Sequence, residues 1–258
     1  MDAGAGIAAT VERGDPDRWR SAMTAPLAAQ PGLMALYAFN LEIARAPWVA
    51  SEPMLAQIRL RWWLEAVEEI YEGQPPRAHE VVVPLAAVIR EGDMPRRLFE
   101  EMVAARLRDA GPGPLPDRGA LDLYLDHTAG HLMELAARHL GAEGAALPVV
   151  RDFARGAGTA TLLRALPELR ARGRDPLPPE VPVAALARDG RAALARARSH
   201  RDRVPRAAAP ALLTGWQAEP VLRRAARDPA AALRPGGLET AEIRARAGLV
   251  WRAFSGRW

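Results

Sequence analysis

The sequence predicts an all-α protein of one domain. Apolar residues recur at helical spacing along most of the chain. The only β-like run, Val81-Val82-Val83, is short and followed by Pro84. The firm breaks are Gly- and Pro-rich connections between helical segments, too short to be domain linkers. Residues 15–258 therefore read as one domain, preceded by a flexible N-terminus over 1–14.

Residues 17–29 are helix-compatible. From Gly32 to about Ala46, Leu33, Leu36, Tyr37 and Ile43 share one face. The next helix is the best marked. Ser51 can cap it, Glu52 and Pro53 occupy its first turn, and Leu55, Ile58, Trp62, Val67 and Ile70 give its apolar period. Gly73 and Gln74-Pro75-Pro76 end it. On this register Trp62 faces the core, and Trp63, about 100° further round, lies at the boundary. Further helices are predicted at about 80–90, 95–109, 120–140 and 147–166, with residues 111–116 (Gly-Pro-Gly-Pro-Leu-Pro) as a loop. The Pro-rich stretch from Gly173 to Pro182 leads to helices near 184–203, 207–217, 219–227 and 238–254.

Composition narrows the function. All 35 basic residues among the 258 are Arg, set against 31 acidic residues for a net charge of +4. The Arg are spread along the chain among Glu and Asp, which points away from nucleic acid. The chain has no Cys, so disulfides and Cys-based metal or thiol chemistry are excluded. No apolar run approaches the roughly 20 residues needed to span a bilayer. The N-terminus lacks the basic and apolar regions of a signal peptide, and a cytoplasmic protein is expected. Without Lys no Walker-type phosphate loop can exist, and neither a Gly-x-Gly-x-x-Gly nor a Gly-x-Ser-x-Gly motif is present.

Three clusters could carry chemistry. Asp122 and Asp126 stand at i, i+4 and could chelate Mg²⁺, or simply form a solvated face opposite Leu121 and Leu125. Glu65, Glu68, Glu69 and Glu72 form an acidic stripe that reads as the outer face of an amphipathic helix. His127 and His131 also stand at i, i+4, which suits zinc, with His139 or Glu134 as the third ligand. Lacking a clear third ligand, they read as a packed pair.

Four ordered blocks resemble the squalene/phytoene synthase family. Ala35-Leu-Tyr-Ala-Phe-Asn40 resembles the start of the family's first Asp-rich helix. Arg61-Trp-Trp-Leu-Glu-Ala-Val-Glu-Glu-Ile-Tyr-Glu-Gly73 is similar to its Trp-Trp-x-x-Glu segment. Tyr124-Leu-Asp-His-Thr-Ala-Gly130, with Leu140-Gly141, looks like its Tyr-Cys-x-x-Val-Ala-Gly helix. Leu163-Arg-Ala-Leu-Pro-Glu168 through Arg172-Gly173-Arg174 to Pro178 resembles its second Asp-rich motif and Arg-Gly-Arg loop. The resemblance covers about residues 18–216 and implies an isoprenoid-synthase-like helical bundle around a central cavity.

The departures bear on activity. Active family members hold Mg²⁺ and substrate diphosphates with Asp-x-x-x-Asp on two facing helices. Carried across, those positions are Ala44 and Trp48, then Ala165 and Leu169. Losing them removes the charge stabilisation that ionisation of an allylic diphosphate needs. Pro47 and Pro167 would further disturb the helices that aim the ligands. The pattern is closer still to a divergent branch of the superfamily that serves in mitochondrial complex I assembly, through Ala38-Phe-Asn-Leu-Glu-Ile-Ala44, Trp63 to Tyr71, and Leu163-Arg-Ala-Leu-Pro167.

The resemblance thus implies a catalytically inactive binding or assembly protein, connected with respiratory complex I. It would need no metal cofactor, and would have a protein partner, an isoprenoid or lipid ligand, and at most peripheral contact with the inner face of the membrane. Arg164, Arg172, Arg174, Tyr124 and Trp62 are the candidate substrate- or anion-binding residues. The alternatives are an active prenyl transferase, using Mg²⁺ on relocated carboxylates such as Asp122 and Asp126, and a lipid carrier.

Overall fold

The computed structural model describes residues 3–49, 52–111, 113–239 and 242–258, and among them there is no strand. Thirteen α-helices are described: α1 (Ala3–Gly14), α2 (Pro16–Ala22), α3 (Gln30–Val49), α4 (Pro53–Tyr71), α5 (Val82–Glu91), α6 (Arg96–Asp109), α7 (Arg118–Leu125), α8 (His131–His139), α9 (Ala146–Ala171), α10 (Val183–Ser199), α11 (Ala209–Leu213), α12 (Ala218–Arg227) and α13 (Glu242–Ser255). None of these helices is long and apolar enough to cross a membrane.

Local chemistry explains several boundaries. The carboxylate of Asp15 caps α2 by accepting from the Arg18 main-chain N–H at 3.0 Å, with Pro16 at the first helical position. Asp117 caps α7 in the same way through Ala120 N–H at 2.8 Å. Ser51, the expected cap of α4, lies outside the described residues, and Glu52 takes the cap position without a side-chain bond.

Helix α3 is the central element. Leu33, Leu36, Tyr37 and Ile43 are all buried, as their shared face predicts. Phe39 lies edge-on to Trp63 at 5.5 Å and to Phe99 at 5.7 Å, joining α3 to α4 and α6. The second long helix, α9, approaches its neighbours through glycines. A Cβ on Gly156 would stand 2.5 Å from Leu194 of α10 and 2.7 Å from the Gly190 carbonyl, and one on Gly158 would stand 2.5 Å from the Ala129 Cβ. Only hydrogen fits at these crossings.

The structure corrects four expectations. The N-terminal segment is helix α1, with Ile7 and Val11 in the core, because its apolar residues at i, i+4 find α3. Helix does not run through 17–29: α2 stops at Ala22, and Pro26 leads into a short 3₁₀ turn before α3. Pro47 and Pro167 stand inside α3 and α9, and neither ends its helix at that point. On α4 the register is turned: Ala56, Leu60, Trp63, Val67 and Ile70 face the core, while Leu55 and Ile58 are exposed. Trp63 is therefore buried (1 % exposed) and Trp62 lies at the boundary, the reverse of the expectation.

Candidate functional site

The four positions carried across from the Asp-rich motifs converge. Ala44 and Trp48 on α3, and Ala165 and Leu169 on α9, line one cavity of about 300 Å³. The rest of its wall comes from the start of α2, the end of α6 and the loop after it, α7 and the turn after it, and the segment Arg174–Pro176. A π-helical turn at Asp126–Gly130 separates α7 from α8. That extra residue in the turn directs Thr128 and Ala129 to the cavity, and His127 and His131 toward α6.

None of the four positions offers an oxygen. The carboxylates that do line the cavity are each paired with an arginine: Asp15 with Arg18, Asp109 with Arg106 at 3.1 Å, and Asp175 with Arg170 at 2.6 Å. Mg²⁺ needs small-radius oxygen ligands in octahedral geometry. The donor set does not fit Mg²⁺.

Trp48 holds a different cation. The Arg174 guanidinium sits 4.5 Å from its ring centroid, and Arg172 sits 5.4 Å from it. Arg174 Nη2 donates to the Pro47 carbonyl at 3.4 Å, while its Nη1 is buried in the cavity wall with no hydrogen-bond partner. Arg106 likewise has a buried Nε without a partner. Both N–H groups are enclosed as well as unpaired, and the guanidinium side chains give the cavity a basic wall. Tyr124 lines it too. Its hydroxyl accepts from Arg106 at 2.7 Å and donates to Asp109 at 2.9 Å, and burial pushes its pKa well above the ordinary tyrosine value.

The other sequence candidates scatter. Arg164 lines a neighbouring cavity of about 350 Å³ and lies 3.4 Å from Asp17. Arg172 is half exposed and bonds Glu168 at 2.6 Å. Trp62 faces an open groove with Leu55 and Ile58, and Arg77 stacks on its ring at 5.1 Å. Of the three candidate arginines only Arg174 lines the cavity with Trp48, because α9 turns Arg164 to its other side. Arg18, which lines both cavities, Arg106 and Arg108 complete the basic set. Sequence reasoning missed all three.

Asp122 and Asp126 lie outside the cavity's lining, held by Arg118 at 3.0 Å and by Arg151 respectively. The acidic stripe on α4 is the outer face it resembles, with Glu65 and Glu69 on Arg77 and Glu68 on Arg96. The relocated carboxylates therefore face no common cavity with Ala44, Trp48, Ala165 and Leu169.

The histidine pair acquires Glu101 of α6 as its neighbour, neither His139 nor Glu134. His139 instead bonds the Ala29 carbonyl at 3.0 Å. The ligand atoms of Glu101, His127 and His131 lie within 4.8 Å of one another. Tautomer chemistry argues against zinc. Arg151 Nη1 donates to His131 Nδ1 at 2.6 Å, so the ring proton sits on Nε2 and is donated to Glu101 at 2.5 Å. A metal on Nε2 would push that proton to Nδ1, against a group that can only donate. Burial first, with Arg151 adding to it, holds the His131 pKa below its ordinary value. Burial pushes the Glu101 carboxyl up, but the bonds from His131 and Arg97 outweigh it and hold the pKa low.

Comparison with known proteins agrees with this fold. A ligand-bound dehydrosqualene synthase superposes with a TM-score of 0.81 at 16% identity, over 98% of this chain and 95% of that one. A squalene synthase from Alicyclobacillus acidocaldarius gives 0.75 at 15% identity, over 87% and 93%. At those identities the likeness shows the fold. The NADH dehydrogenase (ubiquinone) complex I assembly factor 6 of Mus musculus is 26% identical over 170 residues, 66% of this chain and 51% of that protein. The chain thus spans about half the length of this relative. The family model for squalene/phytoene synthase matches residues 11–247, nearly the whole chain, and the protein belongs to that family.

Proposed function

We propose that this chain is a catalytically silent member of its family that acts in the assembly of respiratory complex I. One observation carries the silence. Ala44, Trp48, Ala165 and Leu169 meet in one cavity without a single side-chain oxygen, and Trp48 stacks on guanidinium groups where a carboxylate would hold a metal. The relatives named for complex I assembly support the role. In this reading the cavity is kept as a binding site. Arg174, Arg106 and Arg18 receive the anionic head of an isoprenoid or lipid directly, and the chain works in the cytoplasm or against the inner face of the membrane.

The test has two arms. Purified chain mixed with farnesyl diphosphate and Mg²⁺ should release no diphosphate, whereas titration of the same ligand in EDTA should show saturable binding that Arg174→Met weakens about tenfold or more. Removing the chain from its source organism should lower assembled complex I on native gels, and the wild-type chain should restore it. Diphosphate release that disappears on Asp122→Ala or Asp126→Ala would overturn the reading and make the chain a prenyl transferase. Unchanged complex I would remove the assembly role.

A further inference from the structure

Helix α4 carries an apolar seam that no other helix covers. Leu55, Ile58 and Trp62 stand at i, i+3 and i+7 on its outer side and line a groove of about 650 Å³, whose α3 side is formed by Glu42 and Val49. Among the described residues eleven large apolar side chains are exposed, and Val49, Met54, Leu55 and Ile58, at 49–65 %, are four of them. Met54 lies one turn before Ile58 on the same helix. Single exposed apolar residues are ordinary, but a cluster on one face marks a contact surface.

The seam has a defined end and defined flanks. Its next positions, Glu65 and Glu69, are held by Arg77 at 3.1 and 2.7 Å, and Arg77 also stacks on Trp62, so the apolar run stops there. With Leu55 and Trp62 as a and Ile58 as d of a heptad, Arg59 falls at e and Arg61 at g, one on each flank of the turn between Ile58 and Trp62. Both arginines are exposed, Arg59 lines the groove, and among the described residues neither has an ion-pair partner. The nearby carboxylates lie at the margins: Glu52 a turn before Leu55, and Glu42 across the groove on α3.

From this geometry we infer that the groove is a docking site for an amphipathic helix of a protein partner, whose apolar stripe covers Leu55, Ile58 and Trp62 and whose flanking carboxylates pair with Arg59 and Arg61. A helix laid along α4 matches the seam with its own apolar residues at the same spacing. Guanidinium groups at e and g then select carboxylates across the seam, in number and in place. A second copy of this chain does not fit: laid in register along the same seam, it would set Arg59 and Arg61 against arginines. The groove shares no lining residue with the Trp48 cavity. The inference therefore does not rest on the ligand reading, nor on which assembly the partner belongs to.

The test is fluorescence anisotropy of dye-bearing peptides of about three heptads with Leu at both seam positions, flanked at e and g by Glu in one and by Lys in the other. Titrated with the full chain, the Glu-flanked peptide should bind at least about tenfold more tightly, and the preference should fall severalfold in high salt. Arg59→Glu with Arg61→Glu should invert the preference. Leu55→Ser with Ile58→Ser should weaken both peptides by about tenfold or more, with the far-ultraviolet circular dichroism unchanged. Arg174→Met, in the cavity, should leave peptide binding intact, which separates failure here from failure of the ligand reading. A Glu-flanked peptide that does not bind, equal affinity for the two peptides, or no loss in the Leu55/Ile58 variant would overturn the inference. So would self-association, or binding to phosphatidylglycerol vesicles, that the Leu55/Ile58 variant loses while neither peptide binds.

Discussion

The packing of Arg174 on Trp48 should leave a measurable trace in stability. The perturbation is a double-mutant cycle on the full chain: Trp48→Leu, Arg174→Met and both together. At 4.5 Å from the ring centroid, the Arg174 guanidinium is well inside the range of a cation–π contact, and Trp48 is half-buried. A coupling energy of about 1 kcal/mol is expected, between the values for exposed and desolvated pairs. The single variants should behave unequally. Trp48→Leu loses contact with Arg174 and Arg172 together and should cost about 1–2 kcal/mol. Arg174→Met loses the ring contact and a long bond to Pro47 but relieves a buried N–H without a partner, so it should cost less, under about 1 kcal/mol. Arg172→Met is the control: its contact is longer and it already bonds Glu168, so its coupling to Trp48 should stay below about 0.5 kcal/mol. Urea unfolding followed by circular dichroism gives each free energy. Coupling below about 0.3 kcal/mol, the additivity expected of independent sites, would refute the claim that the indole is the cation's partner.

Three further outcomes follow from the packing. Trp63→Ala empties a core position and should cost about 3–5 kcal/mol in urea unfolding, against about 1 kcal/mol for Trp62→Ala, which loses mainly the Arg77 contact; equal losses would contradict the observed register of α4. The low folded pKa of His131 means that the unfolded chain takes up its proton first. Stability should therefore be whole above about pH 6.5 and decline as pH falls through the folded pKa, with a limiting slope of about 1.4 kcal/mol per pH unit for one proton. Glu101, also held low, adds a second loss below its ordinary 4.5; His131→Gln should flatten the first decline, and an unchanged profile would show that another group carries it. Gly156→Ala should destabilise by about 1–2 kcal/mol despite the better helix propensity of Ala, because its Cβ meets the Gly190 carbonyl at 2.7 Å, whereas Gly248→Ala, with nothing within 4 Å, should stabilise by a few tenths to about 1 kcal/mol. A thermal melt ranks the two directly.

The sequence by itself determined the helical class, most helix positions from 30 to 227 and the residue types at the four aligned positions. Each is written in local periodicity, in Gly and Pro breaks, or in residue identity at aligned positions. The convergence of Ala44, Trp48, Ala165 and Leu169 was legible too, because motif order carries fold topology with it. Tertiary structure alone decided the facing of side chains. Leu55, Ile58 and Trp62 form as good an apolar stripe as Ala56, Leu60 and Trp63, and a helix cannot tell which stripe its neighbours will cover. The same holds for Arg164, Arg172 and Arg174, close in sequence yet sent to a second cavity, to the half-exposed edge of Trp48 beside Glu168, and to the Trp48 face. Partners from distant helices, such as Glu101 for His131 or Arg106 for Tyr124, leave no local signal. Side-chain pairing across helices depends on crossing geometry, and that exists only once the helices have packed.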